Sequence, residues 1–119
     1  MSNLFVQYPK CTTCKKALNC LKDTGVEFQD RHIVEEVPTK EELKAWIEKS
    51  GLEVKNFFNT SGKLYKEMNL KDKVGSFSID EALELLSSNG MLIKRPILVT
   101  DDKVLVGFKQ EAYEETLRK

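Results

Sequence analysis

Two cysteines separated by two residues, in Tyr8-Pro9-Lys10-Cys11-Thr12-Thr13-Cys14-Lys15-Lys16, are the part of this chain best equipped for chemistry. Thiols at this spacing fit three uses: half of a zinc site, a redox dithiol, or a chance pair in a packed helix. Zinc asks for four ligands in a tetrahedron, and the chain has no second CxxC. The other donors, Cys20 and His32, lack metal-type spacing, and Cys20, six residues past Cys14, turns to a different helix face. The redox use suits the surroundings. Leu4 to Tyr8 reads as a strand and Lys16 to Lys22 as a helix, which puts Cys11 at or just before a helix N-terminus. Unpaired backbone N–H groups and the helix dipole there favour a thiolate. Cys11 is then the attacking sulfur, and Cys14, a turn further in, resolves the mixed disulfide. Lys10, Lys15 and Lys16 add positive charge, though each taken alone reads first as solvated surface.

The rest of the chain must hold that dithiol in place. At 119 residues it is expected to form one domain, 1–119, with a core that needs no staples. Nineteen basic and nineteen acidic residues cancel, so no global field argues for nucleic-acid binding. Apolar runs are too short for a membrane helix, and Met1-Ser2-Asn3 leads into a strand-like run rather than a signal peptide. Three cysteines, an odd number, fit a structural disulfide framework poorly, so the expected compartment is the reducing cytosol. Even charge and absent heptads make a monomer the expectation.

Gly25 closes the first helix, and Val26 to Ile33 alternates like a half-buried strand. Thr39 with Glu42 forms a capping box for a helix striped by Leu43, Trp46 and Ile47 and stopped by Gly51. Short helices are expected near Val54–Phe58 and Lys63–Met68. Ser78 with Glu81 caps another, carrying Ala82, Leu83, Leu85 and Leu86 and ending at Asn89-Gly90. Pro96–Val99 and Lys103–Val106 read as a hairpin around Asp101-Asp102, and Glu111–Leu117 as a last helix. The order is β-α-β, an all-helical insertion over about 38–90, then β-β-α. A βαβ half and a ββα half meeting in one mixed four-stranded sheet is the thioredoxin-like α/β arrangement. In such folds the proline opening the third strand is commonly cis and lies beside the dithiol, and Pro96 stands at that place.

If Pro96 packs there, Arg95 lies next to Cys11. A guanidinium in that position lowers a thiol pKa and can grip an oxyanion with two hydrogen bonds. Read by position alone, Arg95 is first of all a solvated residue at a strand start. Cys20 reads as a small packing residue beside Ala17 and Leu21, His32 as exposed and inert, and Trp46 and Phe57-Phe58 as core.

The segments Tyr8 to Ala17, Phe58-Asn59-Thr60-Ser61-Gly62, Leu92-Ile93-Lys94-Arg95-Pro96 and Val106-Gly107-Phe108 together resemble the ArsC/Spx family in order and separation. The likeness spans essentially the whole chain and is nearest to a short, arsenate reductase-like branch of Gram-positive bacteria. It implies a thioredoxin fold with a helical insertion, a redox disulfide between Cys11 and Cys14, and Arg95 as activator or anion-binder. Thr12, Thr13, Lys15, Lys66 and Pro96 become candidate neighbours of the anion. No bound cofactor or metal is implied; glutathione, thioredoxin or glutaredoxin is the implied electron donor.

Three activities follow from the resemblance. The leading one is a thiol–disulfide oxidoreductase. The second is an Spx-like redox regulator that docks on the C-terminal domain of the RNA polymerase α subunit through the insertion. Gly51 falls near a docking glycine, while Trp46 stands about where an arginine is expected. The third is glutaredoxin-coupled arsenate reduction, which in the family uses one cysteine and three arginines. Cys11 and Arg95 match; Lys66 and the Gly107-Phe108-Lys109 segment replace the other two arginines, removing planar bidentate donors.

Overall fold

The computed structural model describes residues 3–60 and 62–117; Ser61, within one of the motifs above, lies outside the described residues. Four short strands form one mixed sheet: β1 (Leu4–Gln7), β2 (Gln29–His32), β3 (Ile97–Val99) and β4 (Val104–Val106). The order across the sheet is β2-β1-β3-β4, with β2 parallel to β1, and β3 antiparallel to both β1 and β4. The helices are α1 (Thr12–Thr24), α2 (Lys40–Ser50), α3 (Lys63–Glu67), α4 (Ile79–Ser88) and α5 (Gln110–Leu117). Short 3₁₀ turns at Val54–Phe57, Leu70–Asp72, Val74–Ser76 and Gly90–Leu92 fill the insertion. This is the thioredoxin-like sheet with a helical insertion, as the element order implied.

Strand alternation sorts the core into two halves. Phe5, Leu98 and Leu105 are cross-strand partners on one face and pack with Ala17 and Leu21 of α1 and Tyr113 of α5. Val6, Ile97 and Val106 line the opposite face, toward a larger cluster that includes Leu43, Trp46, Phe57, Phe58 and Leu86 from the insertion. The sheet is thus sandwiched between α1/α5 and the insertion. Trp46 and Phe57-Phe58 are core residues, as expected.

Both capping boxes form: the hydroxyls of Thr39 and Ser78 accept from the amides of Glu42 and Glu81, whose carboxylates accept from the cap amides. Glu42 also receives a bidentate bond from Arg31, 2.7 and 2.9 Å, while the rest of that guanidinium donates to the carbonyls of Glu36 and Val37. This fastens β2 to the start of α2.

Most element bounds fall within a residue of the sequence reading, and β2 departs most from it. α1 starts at Thr12, directly after Cys11 as the sequence reading placed it, because the Tyr8–Cys11 turn (Cys11 N–H to Tyr8 carbonyl, 2.9 Å) delivers the chain into a helical turn at once. β2 is four residues long rather than eight. Its register is set by the four-residue β1, and the pairing is closed by Gln29 N–H to Asn3 and Ile33 N–H to Gln7. Gly90 shows the tightest backbone approach: a Cβ there would collide with the Ile33 carbonyl, so the turn after α4 seats on the end of β2 only without a side chain.

Candidate active site

Cys11 is the N-cap of α1, in extended conformation (φ −88°, ψ 123°), half-exposed, with no acidic residue in the first turn to compensate the helix dipole. Cys14, one turn in, is fully buried, and both are free thiols in this structure. The two sulfurs have opposite ionisation tendencies. Burial disfavours the charged form of Cys11, but the Cys14 amide and thiol, the Arg95 guanidinium and the Thr13 amide together hold its pKa below the ordinary thiol value. Burial pushes Cys14 up to about 12; the Tyr8 amide opposes this, while the hydrogen bond and charge of Cys11 add to it. A dithiol so split has one sulfur ready to attack and one that holds its proton.

Arg95 and Pro96 reach the dithiol because β3 pairs beside β1. The Arg95–Pro96 peptide is cis, Pro96 is buried, and its carbonyl accepts from Gly107 at 2.8 Å. The Arg95 guanidinium lies over the Tyr8 ring, 5.1 Å from its centroid. Its Nε and Nη1 atoms are buried and make no hydrogen bond among the described residues. Tyr8 in turn meets His32 edge-on, with centroids 5.7 Å apart. His32 is therefore half-buried rather than exposed: its Nδ1 accepts from the amides of Val34 and Glu35, each at 3.1 Å, which locks the ring against Tyr8. The alternation pattern of β2 gave no sign of this, since the lock comes from the turn beyond the strand.

A cleft of about 640 Å³ opens on Cys11. Thr13, Asn59, Gly62 and Arg95 line it, together with the apolar residues Met91, Val106 and Phe108 and the basic residues Lys63, Lys94 and Lys109. Of the anticipated anion neighbours, Thr13 and Arg95 border the cleft, and Pro96, next to Arg95, is buried and does not line it. Thr12 and Lys15 are exposed on α1 and do not line it. Lys66 does not reach it either: α3 begins at the cleft with Lys63, and Lys66, a turn further along, borders a separate hollow with Thr60, Tyr65, Asn69 and Lys71. Gly51 is exposed at the C-cap of α2 (φ 74°), beside exposed Leu52, and takes no part in the cleft.

Sequence reasoning did not single out Tyr8 as the support of Arg95, nor Lys63, Lys94 or Lys109 for the cleft, though Lys94 adjoins the Arg-Pro pair and Lys109 follows the noted Gly-Phe. Cys20 packs in the α1/α5 half of the core, as anticipated, where burial and the charges of Glu114 and Asp23 raise its pKa. Among the described residues no His/Cys/Asp/Glu cluster could hold a metal, and no helix is long and apolar enough to cross a membrane.

Fold and site together define a thioredoxin-like protein with a dithiol on its first helix and an Arg-cis-Pro opening its third strand. The chain belongs to the ArsC family, whose model matches residues 6–116. It is 56% identical over 115 residues to the uncharacterized protein YusI of Bacillus subtilis, covering 97% of this chain and 98% of that one. The regulatory protein MgsR of the same organism is 36% identical, covering 87% of this chain and 81% of MgsR. The global transcriptional regulator Spx of Enterococcus faecalis is 29% identical, covering 87% and 76%. Among solved structures, an ArsC family related protein from Bacteroides fragilis superposes with a TM-score of 0.95 at 52% identity, covering 99% and 98% of the two chains. An arsenate reductase from Vibrio cholerae does so with 0.85 at 32%, covering 97% of each.

Proposed function

We propose that this chain is a thiol–disulfide oxidoreductase of the reducing cytosol, with Cys11 as nucleophile and Cys14 as resolving thiol. The observation that carries this reading is the split dithiol: a half-exposed sulfur of lowered pKa at a helix N-cap, one turn from a buried sulfur of raised pKa. The Cys11 thiolate attacks one sulfur of a substrate disulfide. That S–S bond breaks as the Cys11–substrate disulfide forms, and the second substrate sulfur leaves as a thiolate. The mixed disulfide removes the Cys11 charge and its hydrogen bond from Cys14, two of the causes that raise the Cys14 pKa. Cys14 then gives its proton to solvent and attacks the Cys11 sulfur, forming Cys11–Cys14 and freeing the substrate thiolate. A reduced donor (glutathione, or a dithiol of the thioredoxin or glutaredoxin kind) returns the electron pair.

Trapping tests the reading. Cys14→Ser incubated with a disulfide should accumulate a covalent adduct at Cys11 by intact mass, and Cys11→Ser should not. No adduct in Cys14→Ser, or equal adducts in both variants, would refute it.

The regulators among the relatives support a second reading, in which the same dithiol switches a partner-binding surface on the insertion near Gly51 and Leu52. Capture of the RNA polymerase α C-terminal domain by one redox state and not the other favours it; capture by neither removes it. Arsenate reduction has least support. Among the described residues a single guanidinium borders the cleft, Phe108 forms part of its wall, and Lys66 lies elsewhere.

A further inference from the structure

The whole chain is electrically balanced, but the cleft beside Cys11 is not. Lys63, Lys94, Arg95 and Lys109 line it, and no carboxylate does among the described residues. Lys63 has a loose, solvent-exposed pairing with Glu67 at 3.8 Å; no ion pair engages Lys94, Arg95 or Lys109 among the described residues. These cations come from three separate stretches of chain: the start of α3, the approach to β3, and the approach to α5. Clustered like charges raise the local concentration of anions, and a concave wall concentrates that field.

The second component is apolar. Met91, Val106 and Phe108 are half-buried and line the cleft, Phe108 also bordering a neighbouring hollow beside Cys20. Phe108 is held edge-on against fully buried Tyr113, centroids 4.9 Å apart, so it is a fixed wall rather than a loose side chain. Gly107 (φ 80°) lets the Lys94 stem pass: a Cβ there would come within 3.3 Å of the Lys94 Cε. That leaves the Lys94 ammonium beside the apolar wall.

About 640 Å³ is in the range of sites that hold sizeable organic ligands, far more than a tetrahedral oxyanion fills. Resting on the oxidoreductase reading above, we propose that the substrate is a protein disulfide in an acidic segment carrying an apolar side chain beside its cysteine. The apolar side chain packs on Phe108 and Met91, the flanking carboxylates meet Lys94, Lys109 and Lys63, and the disulfide is presented to Cys11. Arg95 stays with the sulfur.

Short peptides activated as 2-pyridyl disulfides test this on Cys14→Ser. There the Cys11 thiolate attacks the peptide sulfur, the peptide–pyridyl S–S bond breaks, and one thiopyridone leaves per protein, read at 343 nm. The peptides are Glu-Glu-Leu-Cys, its Gln-Gln and Lys-Lys counterparts, Glu-Glu-Gly-Cys, and glutathione as a small acidic thiol without an apolar neighbour. The expected second-order rates place Glu-Glu-Leu-Cys about 5–20-fold above the Gln-Gln peptide, with Lys-Lys slowest, as one or two exposed charge pairs supply. That ratio shrinks on raising salt from 20 to 300 mM and collapses in Lys94→Ala/Lys109→Ala. Replacing Leu by Gly, or using glutathione, costs about 3–10-fold, and Phe108→Ala erases the Leu preference. Equal rates across the peptides, no effect of the lysine or Phe108 substitutions, or glutathione as fast as Glu-Glu-Leu-Cys would overturn the substrate class while leaving the oxidoreductase reading intact. Absence of thiopyridone release from every peptide, with Cys11 free by thiol titration, would overturn both.

Discussion

The split between the two thiols can be put to a numerical test by labelling with iodoacetamide at pH 7. With Cys11 below 9.0 and Cys14 at about 12, their thiolate populations differ by at least about 10³ at neutral pH. Part of that is returned, because a thiolate loses nucleophilicity as its pKa falls, with a slope of about 0.4–0.5 per pKa unit. Over three units the correction is about 20-fold, which leaves Cys11 faster by about 40-fold or more. Burial of Cys14 against a half-exposed Cys11 widens the gap further. Timed labelling of the reduced protein, quenched and read by peptide mass mapping, gives both rates in one sample, with Cys20 as an internal comparison. The midpoint of the Cys11 rate–pH curve should lie below 9.0, while the Cys14 rate continues to climb past pH 10. In Cys11→Ser, Cys14 should react somewhat faster, because the contribution of Cys11 is gone but burial, the largest cause, remains. Labelling of Cys14 within about 5-fold of Cys11 in the parent protein at pH 7 would show that the helix end and the burial do not divide the dithiol as argued.

Other outcomes follow from the same contacts. Arg95→Ala should slow Cys11 labelling at pH 7 by less than tenfold, since the Cys14 amide and thiol outweigh the guanidinium; an unchanged rate refutes the charge effect. Tyr8→Leu should reproduce a part of that loss and Tyr8→Phe none, because the ring face is the contact that holds Arg95. Gly90→Ala should lower the urea midpoint by the equivalent of about 2–4 kcal/mol, as a Cβ collides with the Ile33 backbone; an unmoved midpoint refutes the close seating. Arg31 holds the Glu42 pKa at about 2, below the ordinary 4.5, so its stabilisation is complete above about pH 4.5 and disappears as pH falls toward 2. The full shift corresponds to about 3 kcal/mol, reduced to about 1–2 because a third of the Glu42 side chain meets water. Urea titrations of the parent and Glu42→Gln should differ at pH 7 and converge near pH 2; a gap that persists at pH 2 contradicts the pairing.

Much of the fold was legible because its signals are local. A hydroxyl three residues before a glutamate caps α2 and α4 wherever they end up, and Gly25 and Gly51 end helices because a left-handed residue does so in any context. The dithiol at a helix start is likewise contained in nine consecutive residues. Boundaries were less legible: β2 is as short as its partner β1 allows, and that limit lies some 25 residues away in sequence.

What the amino-acid sequence determined by itself, then, was the set of elements, their order, and a nucleophile candidate at a helix end. The tertiary structure added the burial that sets Cys14 apart from Cys11, since that burial comes from packing by the rest of the core. It also decided that Tyr8, rather than a carboxylate, holds Arg95, and that His32 backs Tyr8. The pairing of β3 against β1 brings residues from positions 11, 94 and 108 around one cleft, to which the start of α3 adds Lys63. Capping and periodicity act over one helical turn or one strand, so they can be read from a few neighbours. Electrostatic environment is a sum over everything nearby in space, and only the folded chain defines what is nearby.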